Sequence, residues 1–211
     1  MIKVLKSEDV PTSLATTLQY NGEDVAKQLY IDQNRKCYLC ERRCVTDYQV
    51  EHRCSQAHFP EDKLSWNNLL LGCSYCNAKK SSDYDNIVDP THVNVEEVIS
   101  QRINYADKIA VFDTANNMSF HKTIELLGRI YNGTGRIRTL REKSFFEYFI
   151  KEMNKFSKAV SNYLSDPSVD NVCIIRELLS IEQEFLGFKY WIIKDNGILE
   201  QFSDYCIWNK V

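Results

Sequence analysis

Two Cys-x-x-Cys pairs, Cys37/Cys40 and Cys73/Cys76, constrain this chain more than any other feature, because only 32 residues separate them. A turn carrying cysteines three apart aims both sulfurs at one point. Two such turns give the four-sulfur set that zinc takes tetrahedrally in closed structural sites. The intervening segment is then a loop pinned at both ends, long enough for a hairpin and a connection. The remaining cysteines, Cys44, Cys54, Cys173 and Cys206, have no paired spacing and read as buried or idle thiols.

Metal rather than disulfide chemistry suits the rest of the sequence. The opening MIKVLKSEDVPTSLATTLQY lacks the apolar run of a secretory leader, and no later run reaches the roughly 18 residues that cross a bilayer. The expected compartment is the cytoplasm, where thiols stay reduced. With 211 residues and 44% hydrophobic content the chain can bury a sizeable core. Its net charge of -3 does not suggest a nucleic-acid protein, yet residues 121–158 carry nine Lys/Arg against four Asp/Glu. Within that block Arg136, Arg138, Arg141, Lys143, Lys151, Lys155 and Lys158 could grip a phosphate backbone or form a solvated helix face.

Apolar periodicity places a helix over residues 21–34 and a strand over 46–52, with a helix opening near Cys76. Asn94 and Glu97 read as a helix-start pair ahead of Val95, Val98, Ile99 and Ile103 on one face. Residues 108–120, with Asn116-Asn117, read as a turn region or hairpin. A helix from Thr123 should stop at Asn132-Gly133. A longer one over 137–164 should bury Phe149, Met153, Phe156, Val160 and Tyr163 and end at Asp166-Pro167. Phe145, Tyr148, Phe149 and Phe156 read as packing residues rather than base-stacking ones. A last helix is expected over 171–185, and FKYWIIKDNG is left unassigned. The fold class expected is α+β, mostly helical. Residues 1–90 would hold the cysteine-braced core at about 37–83, and 91–211 a helical region that packs on it or binds a partner.

Between the cysteine pairs, YQVEH ends a strand-like run in Glu51-His52, an oxygen ligand beside a proton acceptor, which is what metal-assisted hydrolysis requires. Adjacent side chains on a strand point to opposite faces, so the two share a site only at an irregular strand end. WNNLLLGC sets Asn68 five residues before Cys73, and CNAKK sets Asn77 after Cys76 with Lys80 three further on. Over about 37–83 these residues resemble the HNH endonuclease family with its ββα-metal core, in a variant with asparagine where many members carry their last histidine. The sequence also has RCSQ after the acid-His pair, where relatives often have a proline a few residues on.

The resemblance implies His52 as general base on a water, Glu51 and Asn77 as ligands of a catalytic Mg²⁺ or Mn²⁺, and Asn68 as the brace of the His52 loop. Lys80 would face phosphate, and Cys37, Cys40, Cys73 and Cys76 would hold structural Zn²⁺. More loosely, the opening MIKVLKS, the W-N-N-L approach and TIELLGRIYNGTGRIRTLR look like the HNH subunit of Septu-type anti-phage systems, PtuB-like proteins, some of which accompany retrons. That implies a PtuA-like ATPase as partner, with a retron reverse transcriptase and its noncoding RNA/DNA in the retron case. The substrate expected is DNA. Two alternatives stay open: an HNH nuclease that cuts RNA such as tRNA, and a non-catalytic zinc module that binds nucleic acid or protein. His58 could touch phosphate or metal or be a solvated loop residue; His92 and His121 read as ordinary surface or turn residues.

Overall fold

A computed structural model describes residues 1–115, 120–206 and 208. The chain is α+β and mainly helical, with two separate two-stranded antiparallel sheets among the described residues. In order come α1 (Thr12–Thr16), α2 (Glu23–Asp32), β1 (Gln49–His52), β2 (Leu69–Gly72), α3 (Ser74–Lys80), α4 (Val95–Val98), β3 (Ser100–Asn104), β4 (Ile109–Asp113), α5 (His121–Asn132), α6 (Leu140–Ser165), α7 (Val169–Leu178) and α8 (Leu186–Asp195). Among the described residues no helix is long and apolar enough to cross a membrane.

The first sheet pairs β1 with β2, setting Glu51 opposite Leu70 and His52 opposite Leu69, and α3 follows β2 after one residue. The unit is therefore ββα, and it buries Leu69, Leu70 and Leu71 completely. Strand β1 is three residues shorter at its start than the alternation suggested, and α3 begins at Ser74, two residues before the expected point.

The larger helices follow their punctuation. Helix α5 stops at Gly133, whose φ of +88° few side chains tolerate; a β-carbon there would lie 3.0 Å from the Glu142 carboxyl carbon. Helix α6 begins later than the periodicity indicated because Thr139 and Glu142 form a capping box. The Thr139 N–H donates to Glu142 Oε2 at 2.7 Å, and the Glu142 N–H donates to Thr139 Oγ1.

Three expectations need correction. The helix read from Asn94 lasts only Val95–Val98, with no side-chain cap, and Ile103 lies on β3, where the chain becomes a hairpin. That hairpin exists, but its turn spans residues 105–108, with Lys108 at φ +52°; the Asn116-Asn117 turn lies outside the described residues. Helix α7 ends at Leu178 rather than 185, and the unassigned aromatic run is α8, entered through a left-handed, fully buried Phe185.

The main core gathers around Tyr131, whose ring centre lies 4.9 Å from that of Phe149, 5.0 Å from Phe188 and 5.3 Å from Phe145. Each such aromatic removed from water stabilises the fold by about 1.5–3 kcal/mol. Tyr131 also donates its hydroxyl to the Cys40 carbonyl at 3.0 Å, and Tyr75 donates to the Ile130 carbonyl at 2.7 Å. Helix α5 thereby holds both cysteine turns, so the helical body positions the ββα unit. A second cluster, with Phe156, Val160, Ile175, Ile193 and Phe202, joins α6, α7 and α8.

Candidate metal centre and strand-end site

The cysteine turns meet. The four Sγ atoms of Cys37, Cys40, Cys73 and Cys76 lie within 4.8 Å of one another, with Cys40 and Cys73 at 3.9 Å, and all four residues are buried. Tetrahedral zinc with Zn–S bonds of about 2.3 Å sets its sulfurs roughly 3.8 Å apart, so the cage fits that ion. The first pair sits on a turn closed by Cys37 N–H on the Arg42 carbonyl and Cys44 N–H on the Arg35 carbonyl; the second opens α3. Burial drives the Cys40 and Cys76 thiols well above their ordinary range, while hydrogen bonds from Cys37, Cys40 and Cys76 draw Cys73 down. Four sulfurs in one dry pocket share negative charge poorly without a cation. These residues could hold zinc.

On the face of β1 that meets α3, Glu51 and Gln49 stand one strand repeat apart. Asn77 Nδ2 donates to Gln49 Oε1 at 2.7 Å, and Lys80 Nζ lies 3.1 Å from Glu51 Oε1. The amide donor of Asn77 is thus engaged, which leaves its carbonyl oxygen as the end available to a cation. Glu51 is buried, and burial raises its carboxyl above the ordinary range, against the pull of Lys80. A carboxylate and an amide oxygen suit a hard divalent ion.

Lys80 does not face a phosphate. It is 1% exposed, and besides Glu51 it meets the His52 carbonyl, to which Nζ donates at 2.9 Å. Its position corrects the expectation: the ammonium ties the strand end to α3 from inside.

His52 points to other neighbours than Glu51, as strand alternation requires. Its Nε2 lies 2.9 Å from the Lys63 carbonyl, which can only accept, so the proton sits on Nε2. Nδ1 is the lone-pair nitrogen, reached by Gln56 Nε2 at 3.3 Å. The ring packs edge-on against Tyr20, and burial lowers its pKa, with the Lys63 carbonyl pulling the other way. Among the described residues the ring makes no hydrogen bond to Glu51 or Asn77. It shares with Glu51 the end of β1, not a contact, whereas Asn77 meets that strand at its start, on Gln49.

Asn68 is buried where the brace was expected. Its Oδ1 accepts the Cys54 N–H at 2.8 Å, and its Nδ2 donates to the Cys54 carbonyl at 2.9 Å and the Asp62 carbonyl at 3.3 Å. One side chain therefore fastens both ends of the 53–62 loop that follows His52.

Sequence reasoning missed Asp85. It is buried and collects three donors from the same loop: the Ser55 N–H at 2.5 Å, the Ser55 hydroxyl at 2.9 Å and His58 Nδ1 at 2.6 Å. Burial works to raise its carboxyl, but these bonds outweigh it and hold it below the usual range. The basic block is partly committed within the chain. Arg138 lies over Phe146 and donates to the Lys108 carbonyl, and Arg141 donates to Ser74 Oγ at 2.6 Å. Phe145, Phe149 and Phe156 are buried as packing residues, while Tyr148 is exposed and donates its hydroxyl to Glu184.

No family model matches the chain. It is similar to the Septu protein PtuB of Bacillus thuringiensis, 34% identical over 83 residues, a match covering 34% of this chain and 32% of that protein. The chain thus spans about a third of the length of the curated relative it matches.

Proposed function

We propose that this protein is a metal-dependent HNH endonuclease that hydrolyses nucleic-acid phosphodiester bonds, DNA first, as the effector of a Septu-like defence complex with a PtuA-like ATPase. The observation that carries this reading is the hydrogen bonding of the buried His52 ring. Nε2 lies 2.9 Å from the Lys63 carbonyl, an acceptor that draws the proton there, so Nδ1, met only by Gln56 Nε2 at 3.3 Å, keeps the lone pair of a base at the strand end that also carries Glu51. The similarity to PtuB supports the defence context.

His52 Nδ1 takes a proton from the attacking water, and its lowered pKa keeps it unprotonated near neutral pH. Glu51 and the Asn77 carbonyl oxygen would hold a Mg²⁺ or Mn²⁺ ion, which when bound would neutralise charge building on the phosphoryl and departing oxygens. Lys80 fixes the Glu51 carboxylate and, through the His52 carbonyl, the backbone that carries the base. Asn68 sets the loop that shapes the approach to His52. The cysteine cage holds the start of α3, and hence Asn77 and Lys80, at a constant place against β1. Residues 91–211, which share the main core with this unit through α5, α6 and α8, serve as its support and as the surface for the partner.

The test is cleavage of plasmid DNA and of an RNA panel including tRNA, by the purified chain alone and with a copurifying ATPase, in Mg²⁺ or Mn²⁺. Metal-dependent cutting that His52→Ala abolishes is expected. Cleavage of RNA alone would move the substrate class. No cleavage of either, with nucleic acid still bound, would favour a zinc-braced binding module in which Lys80 merely neutralises Glu51.

A further inference from the structure

His58 is the one histidine of the 53–62 loop, and its setting is unlike that of a free surface ring. Its side chain is 60% exposed, yet Nδ1 is anchored at 2.6 Å to the Oδ2 of Asp85, whose side chain is only 8% exposed. The carboxylate cannot swing away, because Ser55 holds both of its oxygens through the backbone N–H and the hydroxyl. The loop itself is fastened at Cys54 by Asn68. Three layers of hydrogen bonding therefore orient a ring whose remaining nitrogen, Nε2, has no hydrogen-bond partner among the described residues.

The dyad also belongs to the strand-end site, because the loop that Asp85 holds at Ser55 follows directly on His52, and Cys54 Sγ lies 3.6 Å from the Asp85 carbonyl while Asn68 fastens the Cys54 backbone. An imidazole backed by a buried carboxylate serves either a metal or an anion. Among the described residues only the four cysteines converge as a metal-holding set of His, Cys, Asp and Glu, and nothing joins His58 in such a group. An anion remains. The Asp85 carboxylate at Nδ1 and a phosphate oxygen at Nε2 are both acceptors, so a ring set between them would donate to each, two charge-assisted hydrogen bonds in line.

We infer that His58, oriented by Asp85, is a substrate-contacting residue whose Nε2–H grips a backbone phosphate of the nucleic acid beside the bond to be cut. This rests on the nuclease reading above, with Asp85 as a positioning residue that acts through the ring.

The test uses the full chain with its partner. Steady-state cleavage of a short duplex separates KM from kcat, and fluorescence anisotropy of a labelled duplex is followed in a His52→Ala background. His58→Ala should raise KM and weaken duplex binding roughly tenfold, the loss of one charged hydrogen bond, while kcat stays within about twofold. His58→Arg, which offers donors of its own to a phosphate, should recover most of the binding. Asp85→Asn should give an intermediate loss. Circular dichroism and thermal melts accompany each variant, and His58→Gln replaces any that fails to fold. Unchanged binding in a folded His58 variant overturns the inference, and so does a fall in kcat with KM unmoved. If the wild-type chain binds duplex but cuts nothing, the nuclease reading fails, and the anisotropy series alone still decides whether His58 meets phosphate.

Discussion

Lys80 Nζ lies 3.1 Å from Glu51 Oε1 and donates at 2.9 Å to the backbone carbonyl of His52, so one buried ammonium binds both neighbours at the end of β1. A strand end is where a short sheet frays, since its last residues have fewest ladder partners. Here that end carries the two residues on which the proposed chemistry turns. The lysine converts a frayed end into a fixed one, through a charge that Glu51 alone could not tolerate in burial.

Replacing Lys80 with methionine should therefore destabilise the fold by about 3–5 kcal/mol, the cost of leaving one charge of a buried pair unpartnered. The deficit should depend on pH. Burial already raises the Glu51 carboxyl, and without Lys80 it climbs further. A carboxyl raised in the folded state gives stability that is full below its unfolded pKa of about 4.3 and lost as pH rises through the folded value. Urea melts should thus show Lys80→Met closer to wild type at pH 5 than at pH 8, and the double variant Glu51→Gln/Lys80→Met more stable than Lys80→Met alone. Equal deficits at both pH values would mean that Glu51 carries no charge in the folded protein.

The placing of Lys80 was open to sequence reasoning and was not drawn from it. Lys80 stands three residues after Asn77 on a helix, so both side chains share one face. If Asn77 looks toward β1, the lysine must as well. Other features offered no such signal. Asp85 sits in SSDYDNIVDP, where nothing separates it from Asp83 or Asp89; only tertiary placement buries it under Ser55 and His58. The aromatic run that forms α8 shows no clear apolar stripe because much of its circumference is covered. The meeting of the cysteine turns and the C-terminal ends of α5 and α6 were legible because each is a local rule: a ligand spacing, a glycine stop, an Asp-Pro break. The Val95–Ile103 stretch was misread because four residues of helix followed by a strand satisfy a helical spacing by coincidence.

Chelation should unfold the ββα unit rather than merely silence it. Folding free energies of about 10–16 kcal/mol are tied to structural zinc in small domains, and here the same cage anchors α5 through Tyr131 and Tyr75. The expected outcome is one zinc per chain by elemental analysis. Its removal under denaturing conditions should block refolding until Zn²⁺ is restored, and Cys73→Ser should be recovered mainly as insoluble protein. A metal-free chain with an unchanged thermal midpoint would refute a structural role for the cage.

Asn68→Ala tests the brace. Its truncation leaves the Cys54 N–H and carbonyl without their side-chain partner in a partly buried loop, at about 1–3 kcal/mol for each group that water cannot reach. A loss of roughly 2 kcal/mol in chemical denaturation is expected. With the His52 loop released, kcat should fall by more than an order of magnitude while duplex binding changes little. Asn68→Asp keeps the acceptor for Cys54 N–H but loses both donors, so it should fall between wild type and alanine. A kcat that falls no further than the folded fraction does would remove Asn68 from the site.

The pH profile isolates His52. With this ring as base, the active form is the neutral one, and burial lowers its pKa from the ordinary value of about 6.5. Single-turnover rates at fixed Mg²⁺ should be flat from pH 7 to 8 and fall toward tenfold per unit only below a midpoint under about 6.5. Stability follows the same sign: a histidine held neutral by burial contributes stability above its unfolded pKa and loses it as pH falls through the lowered one. Tyr20 supplies part of that shielding, with its ring centre 4.6 Å from the imidazole. Tyr20→Ala should admit water and move the acid limb upward, toward the ordinary histidine value, while the plateau rate changes less than the midpoint. An acid limb centred above 6.5, or one that Tyr20→Ala leaves in place, would assign the titrating group elsewhere and end the case for His52 as the base.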